Sequence, residues 1–551
     1  MEPKEQNFQV SGQIVDLLNE RIFPGAVTVK NGSIAAVREE PSAPSQFITP
    51  GLVDAHRHVE STLLSPSQMG GIAMAHGDLA TVSDPHEIAN VLGEAGIKFM
   101  VRDAERTALS INYGVPSCVP ATNPELETSG AALNAEVVGR LIQLPQFKYL
   151  AEMMNWPGVL RGEPEVLAKI EAAKKAGKPI DGHAPGLRGA EAEQYIGRGM
   201  STDHECFSEA EALDKLAAGM KILIREGSAA RNFDALIPLL ERHAEKVMFC
   251  TDDLHPDLIV EGGIKRHVTR ALALGLDPLS VLRAASRNPV EHYGLDLGLL
   301  QPGHSADFLV VRNLKDFYVE AAYRRGALVA RDQMALEAPL PPETPNQFNA
   351  KFISLDDLKI RSAGPLVRAI KVVDGQLVTG ETLLPASVLN GNYETDVARD
   401  LLKVAVVNRY KEAPVSVGFV HGFGLKHGAL ASTVAHDCHN IIAVGATDRE
   451  LASAINSVIK TRGGLSFVRG EEASILPLPI AGLMSDKDPR TVAKEYSALD
   501  SKAHVEGGTN LRAPFMTLSF LALLVIPELK LSDKGLFNGG KWSFVSPGAA
   551  A

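Results

Sequence analysis

The stretch that decides the fold lies near the start of the chain and reads Thr49-Pro50-Gly51-Leu52-Val53-Asp54-Ala55-His56-Arg57-His58. An apolar strand follows a Pro-Gly turn and ends in two histidines. Residues two apart on a strand point to the same face, so His56 and His58 are able to hold one metal ion from one side. An isolated pair of this kind is equally well explained as two polar residues near a strand end. Its position after an apolar strand favours the metal site.

Candidate strands continue outward from this stretch and alternate with helical segments such as Pro164–Ala176 and Phe233–Glu245. In chain order they are Leu52–Val59, Leu79–Asp84, Ser110–Val115, Tyr149–Met153, Pro179–His183, Met200–His204, Lys221–Glu226 and Val247–Asp252. Eight such units over roughly two hundred residues predict a closed (β/α)8 TIM-type barrel.

Several of these strands end in a side chain that binds metals. In a barrel of this type the carboxyl ends of the strands converge on the active site. A lone strand-end histidine is more often a capping polar group, but the combination across five strands predicts one metal site, with the ligands His56, His58, Glu152, His183, His204 and Asp252. Imidazole and carboxylate ligands without a thiolate suit Mn, Fe or Zn about equally. Cys206 and Cys250 have the opposite strand parity and are interpreted as packing residues.

The segments on either side of the barrel predict two further domains. Short β-like runs precede it, with an Asn31-Gly32 hairpin turn, and Asp307–Val311 and Val372–Val378 follow it. Residues 1–50 and 296–380 are therefore predicted to form a small β-sandwich domain around a barrel of residues 51–295. Pro339–Pro345 is predicted to be a loop. Residues 384–551 are predicted to form a C-terminal α/β domain.

Composition excludes several classes of function. The formal net charge of −11 argues against nucleic acid as a partner. The segment Met1–Val10 lacks the apolar core of a secretory signal, and the longest apolar run, Phe515–Ile526, is too short to span a bilayer as a helix. The four cysteines lie far apart, without a C-x-x-C pair, which suits a reducing compartment. We expect a cytoplasmic homo-oligomer that does not bind membranes.

Several longer motifs resemble those of a known family. They are Pro50–His58, His58–Ser61, Asp84–Val91, Asp181–Leu187, Thr202–Glu205, Glu226–Asn232, Thr251–Pro256, Asn288–Gly294, Pro302–Asp307, His436–Asn440 and Leu478–Ser485. The first resembles the first-strand signature of the amidohydrolase superfamily. In combination they resemble the adenine deaminases of that superfamily, and the resemblance covers nearly the whole chain.

This resemblance implies a purine as the small-molecule substrate, hydrolytic deamination of adenine to hypoxanthine and ammonia, and a binuclear metal centre in which Mn or Fe is favoured over Zn. Many members of the superfamily bridge two metals with a carboxylated lysine. Here Glu152 stands at the inferred strand end and is expected to be the bridge, with Lys148 four residues earlier.

Roles for further residues follow from the implied reaction. Asp252 is expected to ligate a metal and to carry a proton from the attacking hydroxide to the departing ammonia. Glu60 and Glu87 are alternative acids for N1 of the purine, and the sequence does not choose between them. Ser228 and Arg231 are candidate purine contacts, or part of the turn that starts the next helix. His86 is a ligand, a hydrogen-bonding residue or a helix start.

The cluster of His436, Asp437 and His439 covers the site, binds an extra metal or is a solvated loop. Three other functions remain open: a deaminase of an N6-substituted adenine or another aminopurine, a cyclic-amide hydrolase, and a non-catalytic scaffold. Glu152 in place of lysine counts against the hydrolase, and the intact set of ligands counts against the scaffold.

Overall fold

A computed structural model describes residues 7–550. The first six residues of the polar segment Met1–Val10, and of the predicted first domain, lie outside the described part. The chain begins with four strands, β1 (Phe8–Asp16), β2 (Arg21–Lys30), β3 (Ser33–Glu39) and β4 (Phe47–Pro50). Strands β2 and β3 form the predicted hairpin, since Asn31 and Gly32 both have positive φ.

The central unit is the predicted barrel, and all eight strands occur in the expected order. They are β5 (Leu52–Arg57), β6 (Asp78–Ser83), β7 (Ser110–Val115), β8 (Phe147–Met153), β9 (Ile180–Gly182), β10 (Met200–Asp203), β11 (Lys221–Arg225) and β12 (Val247–Cys250). Each strand pairs in parallel with its neighbours, and a bridge between Arg57 and Asp252 closes the sheet. The strands are buried on both faces because helices cover the outside.

The helices of this unit follow the barrel strands. They are α1 (Pro66–Ala75), α2 (His86–Leu92), α3 (Glu94–Ala104), α4 (Ala135–Leu141), α5 (Trp156–Arg161), α6 (Pro164–Lys175), α7 (Gly189–Gly197), α8 (Glu209–Ala217), α9 (Phe233–Leu236), α10 (Leu240–His243), α11 (Pro256–Ala273), α12 (Pro278–Leu282) and α13 (Asn288–Tyr293). The predicted helix Phe233–Glu245 is interrupted by a 3-10 turn, Ile237–Leu239, because Pro238 cannot continue the α-helical hydrogen bonds. Helix α11 is kinked at Gly262, whose φ is 122°.

After the barrel the chain returns to the first sheet. Strands β13 (Phe308–Val311), β14 (Val319–Arg324), β15 (Ala327–Arg331) and β16 (Met334–Ala335) extend it through the antiparallel pairing of β13 with β4. The sheet has the order β16-β15-β14-β13-β4-β1-β2-β3. Residues from both flanks of the barrel thus share one sheet, and Pro339–Pro345 is irregular chain, as predicted.

The prediction of a strand over Val372–Val378 is wrong. These residues form a loop with a turn at Asp374-Gly375, since Gly375 has a φ of 77°. The flanking strands pair with the C-terminal sheet and not with the first sheet. Strand pairing is a long-range choice that local β propensity does not encode.

The C-terminal part is built on a nine-stranded sheet with small sheets beside it. Its strands are β17 (Ile360–Arg361), β18 (Leu366–Lys371), β19 (Gly380–Pro385), β20 (Ser387–Leu389), β21 (Asn392–Glu394), β22 (Leu401–Val407), β23 (Ser416–His421), β24 (Ala429–Ser432), β25 (Ile441–Gly445), β26 (Gly464–Arg469), β27 (Glu472–Pro477), β28 (Leu529–Ser532), β29 (Gly535–Asn538), β30 (Ser543–Phe544) and β31 (Gly548–Ala549). Its helices are α14 (Asp448–Lys460), α15 (Pro489–Val505) and α16 (Pro514–Phe520).

This part packs on the end of the barrel where the strands terminate. Helix α15 lies against α11, and the Tyr496 hydroxyl lies 2.6 Å from Nδ1 of His255. The apolar run Phe515–Ile526 is buried apart from Val525, which is half-buried. Among the described residues, no helix combines the length and the apolar character that a membrane crossing requires.

Candidate metal and active site

The six predicted metal ligands lie together at the carboxyl ends of the barrel strands. Nε2 of His58 is 3.2 Å from Nε2 of His56, from Oε1 of Glu152 and from Oδ1 of Asp252. All six side chains are buried. Asp252 reaches this position because its backbone N–H donates to the His56 carbonyl at 2.9 Å, across the seam that closes the barrel.

Glu152 lies between two groups of imidazoles. Its Oε1 faces His58 at 3.2 Å and His56 at 3.8 Å. Its Oε2 lies 2.7 Å from Nδ1 of His183 and 3.3 Å from Nε2 of His204. Burial opposes ionisation, but the surrounding imidazoles hold the pKa of Glu152 well below its ordinary value.

The donors present fit two divalent cations. Imidazole nitrogens and carboxylate oxygens converge within reach of shared cations, and Nε2 of His183 is buried without a hydrogen-bond partner among residues 7–550. Two sets of side chains have ligand atoms close enough together to hold one cation each. One set is His56, His58 and Asp252, and the other is His56, Glu152 and His204. No thiolate takes part, since Cys206 donates to Asp203 and Cys250 is packed in the core.

Arg225 and Glu205 belong to the site and escaped the sequence analysis. Nη1 of Arg225 lies 2.6 Å from Oδ2 of Asp252 and also contacts Oε1 of Glu205, with all three side chains buried. Glu205 lies 3.4 Å from Nε2 of His204. Burial disfavours the charge on Asp252, but Arg225 and the imidazoles hold its pKa well below the usual range. The position of Arg225 at the end of β11 was the available signal.

His86 is both a helix start and a neighbour of the ligands. It is the first residue of α2, and its Nδ1 lies 2.9 Å from Oδ2 of Asp84 and 3.6 Å from Oε1 of Glu152. The ligand atoms of His58, Asp84, His86 and Glu152 also lie close enough together to hold a cation. Lys148 lies at the start of β8, half-buried in a groove with Ser110 and Arg324, away from the cluster.

A small cavity of about 20 Å³ covers the ligands, enough for about one water molecule. The C-terminal part closes it from above. Its lining consists of His58, His86, Glu152, Met154, His183, His204, Glu205, Asp252, Asp253, Leu377, His436, Asp437, Phe520 and Leu523. Leu377 lies in the loop that was predicted to be a strand. A larger substrate therefore requires this roof to move.

Glu60 and Glu87 do not line the cavity. Glu60 accepts a hydrogen bond from Ile88 N, and Glu87 accepts one from the Ser61 hydroxyl at 2.9 Å. The same hydroxyl lies 2.5 Å from Asp253, which does line the cavity. Burial and then the neighbouring Glu87 raise the pKa of Glu60 to about 8. Neither carboxyl therefore lines the closed cavity.

Ser228 and Arg231 also lie outside this cavity. The Ser228 hydroxyl accepts a hydrogen bond from His255 N at 2.9 Å, and Arg231 donates to the carbonyls of Gly227 and Ser228. This bonding is that of a structured turn, the alternative left open by the sequence. Arg231 borders an outer groove beside Asp374–Gln376, on the other side of the loop that carries Leu377.

The His436–Asp437–His439 cluster is buried and is not a solvated loop. Nδ1 of His436 lies 3.6 Å from Oδ1 of Asp437, which lies 3.6 Å from Nε2 of His86. His439 faces Glu87 at 3.7 Å. The cluster thus joins the C-terminal part to the metal-binding end of the barrel.

Comparison with known proteins divides the chain in the same way, into the barrel with its flanking sheet and the C-terminal part. A model of the amidohydrolase family matches residues 47–329, and a model described as the adenine deaminase C-terminal domain matches residues 376–543. The chain is 49% identical over 547 residues to an adenine deaminase of Methanosarcina mazei, covering 97% of this chain and 98% of that protein. It is also 49% identical over 540 residues to an adenine deaminase of Salinibacter ruber, covering 98% of each.

The chain belongs to the adenine deaminase family. Among solved structures, a β-aspartyl dipeptidase from Fervidobacterium islandicum is 13% identical, with a TM-score of 0.45, covering 61% of this chain and 99% of that one. The amidohydrolase match spans the barrel with its ligands, and the C-terminal match spans the roof residues Leu377, His436 and Phe520. The two matched regions therefore contribute both halves of the cavity in this chain.

Proposed function

We infer that this chain catalyses the hydrolytic deamination of adenine to hypoxanthine and ammonia. The observation that carries this inference is the convergence of six metal-binding side chains beneath the family's C-terminal domain. Relatives named adenine deaminase that match nearly the full length support the same reaction. The buried cavity suits a small uncharged molecule once its roof has opened.

We propose that the binuclear centre is held by His56, His58, Glu152, His183, His204 and Asp252, with Glu152 as the bridge. The two oxygens of Glu152 face different imidazole groups, which supports this role. Two divalent cations held there would lower the pKa of a water molecule and so make it easier to deprotonate during attack. Mn or Fe is the proposed metal, with Zn as the alternative, since nitrogen and oxygen donors suit all three.

Asp252 is proposed to move the proton of the attacking water. Arg225 fixes Oδ2, which leaves Oδ1 toward His56, His58 and the cavity. The Asp252 carboxylate accepts one proton of the water while the water oxygen bonds to C6. The carboxyl then gives this proton to the amino group that leaves. Because Arg225 also lowers the basicity of Asp252, proton transfer to the leaving group is the easier of the two steps.

The test is amine release by the Mn-loaded protein, measured as ammonia from adenine and adenosine and as methylamine from N6-methyladenine. Turnover of adenine alone supports the proposal. Preference for N6-methyladenine would favour the substituted-adenine deaminase instead. Release from neither base, with two metals bound per chain, would refute it, and dihydroorotate and hydantoin would then test the cyclic-amide alternative. A chain that binds no metal would point to the scaffold.

Location, assembly and domain limits are also proposals. A cytoplasmic location is supported by four buried cysteines without a disulfide in the described range. A homo-oligomer is supported by exposed apolar residues such as Val388 and Leu389, and light scattering would measure it. The C-terminal domain is proposed to begin before β18, since β18 pairs with β23 of the C-terminal sheet and with β31.

A further inference from the structure

The cavity contains many acceptors and few donors. Glu205 and Asp252 are bonded to Arg225, and Asp253 lies 2.5 Å from the Ser61 hydroxyl. Among the remaining polar residues of the lining, His58, Glu152, His183 and His204 belong to the proposed metal centre, and His86 is paired with Asp84. His436 remains as the lining residue whose ring nitrogen Nε2 has no hydrogen-bond partner in the described chain.

His436 is held by groups on both sides. Its ring stacks on Phe520 with centroids 4.3 Å apart and an angle of 14°. Nδ1 faces Asp437 at 3.6 Å, which leaves Nε2 as the free end. This atom is buried and has no hydrogen-bond partner in the described chain, and the nearest carboxylate, Asp253, is 4.0 Å away. Such an atom is costly to bury unless a ligand satisfies it.

The charge of the surroundings favours the imidazolium form. Burial works against the charge, but Asp253, Asp437 and Glu87 raise the pKa of His436 to about 9. The three carboxylates therefore favour a proton on both nitrogens. A neutral purine ring nitrogen is a suitable acceptor for it.

We propose that His436 is the acid that donates its Nε2 proton to N1 of adenine when the water oxygen bonds to C6. This proposal rests on the function inferred above and gives His436 the role that the sequence left between Glu60 and Glu87. Those two carboxyls do not line the closed cavity, whereas His436 does.

Every proton in the proposed reaction is accounted for. The water oxygen bonds to C6, one water proton goes to Asp252, and the C6–N1 π pair moves to N1, which takes the proton of His436. The C6–N6 bond then breaks, and the amino group leaves as ammonia with the proton from Asp252. The second water proton leaves the C6 hydroxyl and restores the imidazolium. Hypoxanthine keeps the proton on N1.

The test uses two variants and two probes that are not deaminated. His436→Phe keeps an aromatic ring to stack on Phe520 but has no donor, and His436→Gln keeps an N–H that hydrogen-bonds without giving up its proton. The probes are purine, which has N1, and 1-deazapurine, which lacks it. A matched control is His267→Leu, at a buried histidine that packs on Phe249.

We expect both His436 variants to retain two metals per chain and to lose kcat on adenine by about a hundredfold or more. In His436→Phe the inhibition constant of purine should rise by about tenfold, the scale of one charged hydrogen bond, while that of 1-deazapurine stays the same. His436→Gln should restore part of the purine affinity without restoring kcat. The control should keep kcat and both inhibition constants.

Equal weakening of both probes would show that His436 only shapes the cavity, and an unchanged kcat in the metal-loaded variants would remove it from the chemistry. Either result overturns this proposal and leaves the deaminase function intact. Failure of the unmodified protein to release ammonia from adenine would instead refute the function itself.

Discussion

Glu152→Gln is the sharpest test of the bridged centre. The change preserves the shape of a fully buried side chain but removes its negative charge from between two imidazole groups. The amide also presents one oxygen where the carboxylate presented two. One of the two cation positions therefore faces an N–H group, which cannot act as a ligand.

The expected magnitude follows from the charge. Two unit charges about 4 Å apart interact by about 4 kcal/mol at an effective dielectric constant of about 20, so a dication loses about 8 kcal/mol of attraction. If solvent and the remaining ligands recover three quarters of this, about 2 kcal/mol is left, which is about a 30-fold loss of affinity. We expect loss of at least one metal and of most activity.

The assay is metal content per chain after dialysis, measured beside ammonia release. Glu127→Gln is the control, because Glu127 is also buried but is bonded to Thr122. Burial raises the pKa of Glu127 to about 7, so neutralising it should change little. Two metals and full turnover in Glu152→Gln would show that this carboxylate is not the bridge.

Three further outcomes are expected. Asp252→Asn should lower turnover by a factor of about one hundred to ten thousand. Turnover and metal content are measured together. Loss of turnover with the metal retained would assign proton transfer to Asp252, and unchanged turnover would rule that role out. Removal of metal by a chelator should lower the thermal midpoint, because bound cations stabilise only the folded state, and added Mn should restore it; a midpoint independent of metal would contradict the site. Burial lowers the pKa of Lys530 to about 7, so the unfolded chain binds more protons than the folded chain between about pH 7 and pH 10.5, and stability should rise with pH there. Lys530→Met should lack this rise in urea titrations, and parallel curves for the two proteins would show that the pKa of Lys530 is unperturbed.

The proposed role of His436 has no signal in the local sequence. Glu60 and Glu87 are close in sequence to strand ends, which made them candidates, but the 3-10 turn Glu60–Thr62 and helix α2 hold them outside the cavity lining. His436 lies more than 370 residues after His58 and in another part of the fold. No local pattern links the two residues.

The sequence by itself determined the barrel and the set of candidate ligands at its carboxyl end. Their positions repeat with the strands, and an H-x-H pair on one strand needs only the two-residue period of a strand to face one way. The carboxyl ends of parallel strands must meet at one end of a closed barrel, so His183, His204 and Asp252 were predictable from strand order alone.

Only the tertiary structure decided how the site is closed. Leu377 was predicted to lie in a strand but lies in a loop over the site, and the contacts of Arg225 and Glu205 became visible only when β10, β11 and β12 were seen side by side. The roof comes from segments far apart in the chain, and its contacts depend on how one folded unit packs on another. That packing is set by surface complementarity and not by the periodicity of any single segment, so the sequence determined the candidate ligands and the tertiary structure decided which side chains line the cavity above them.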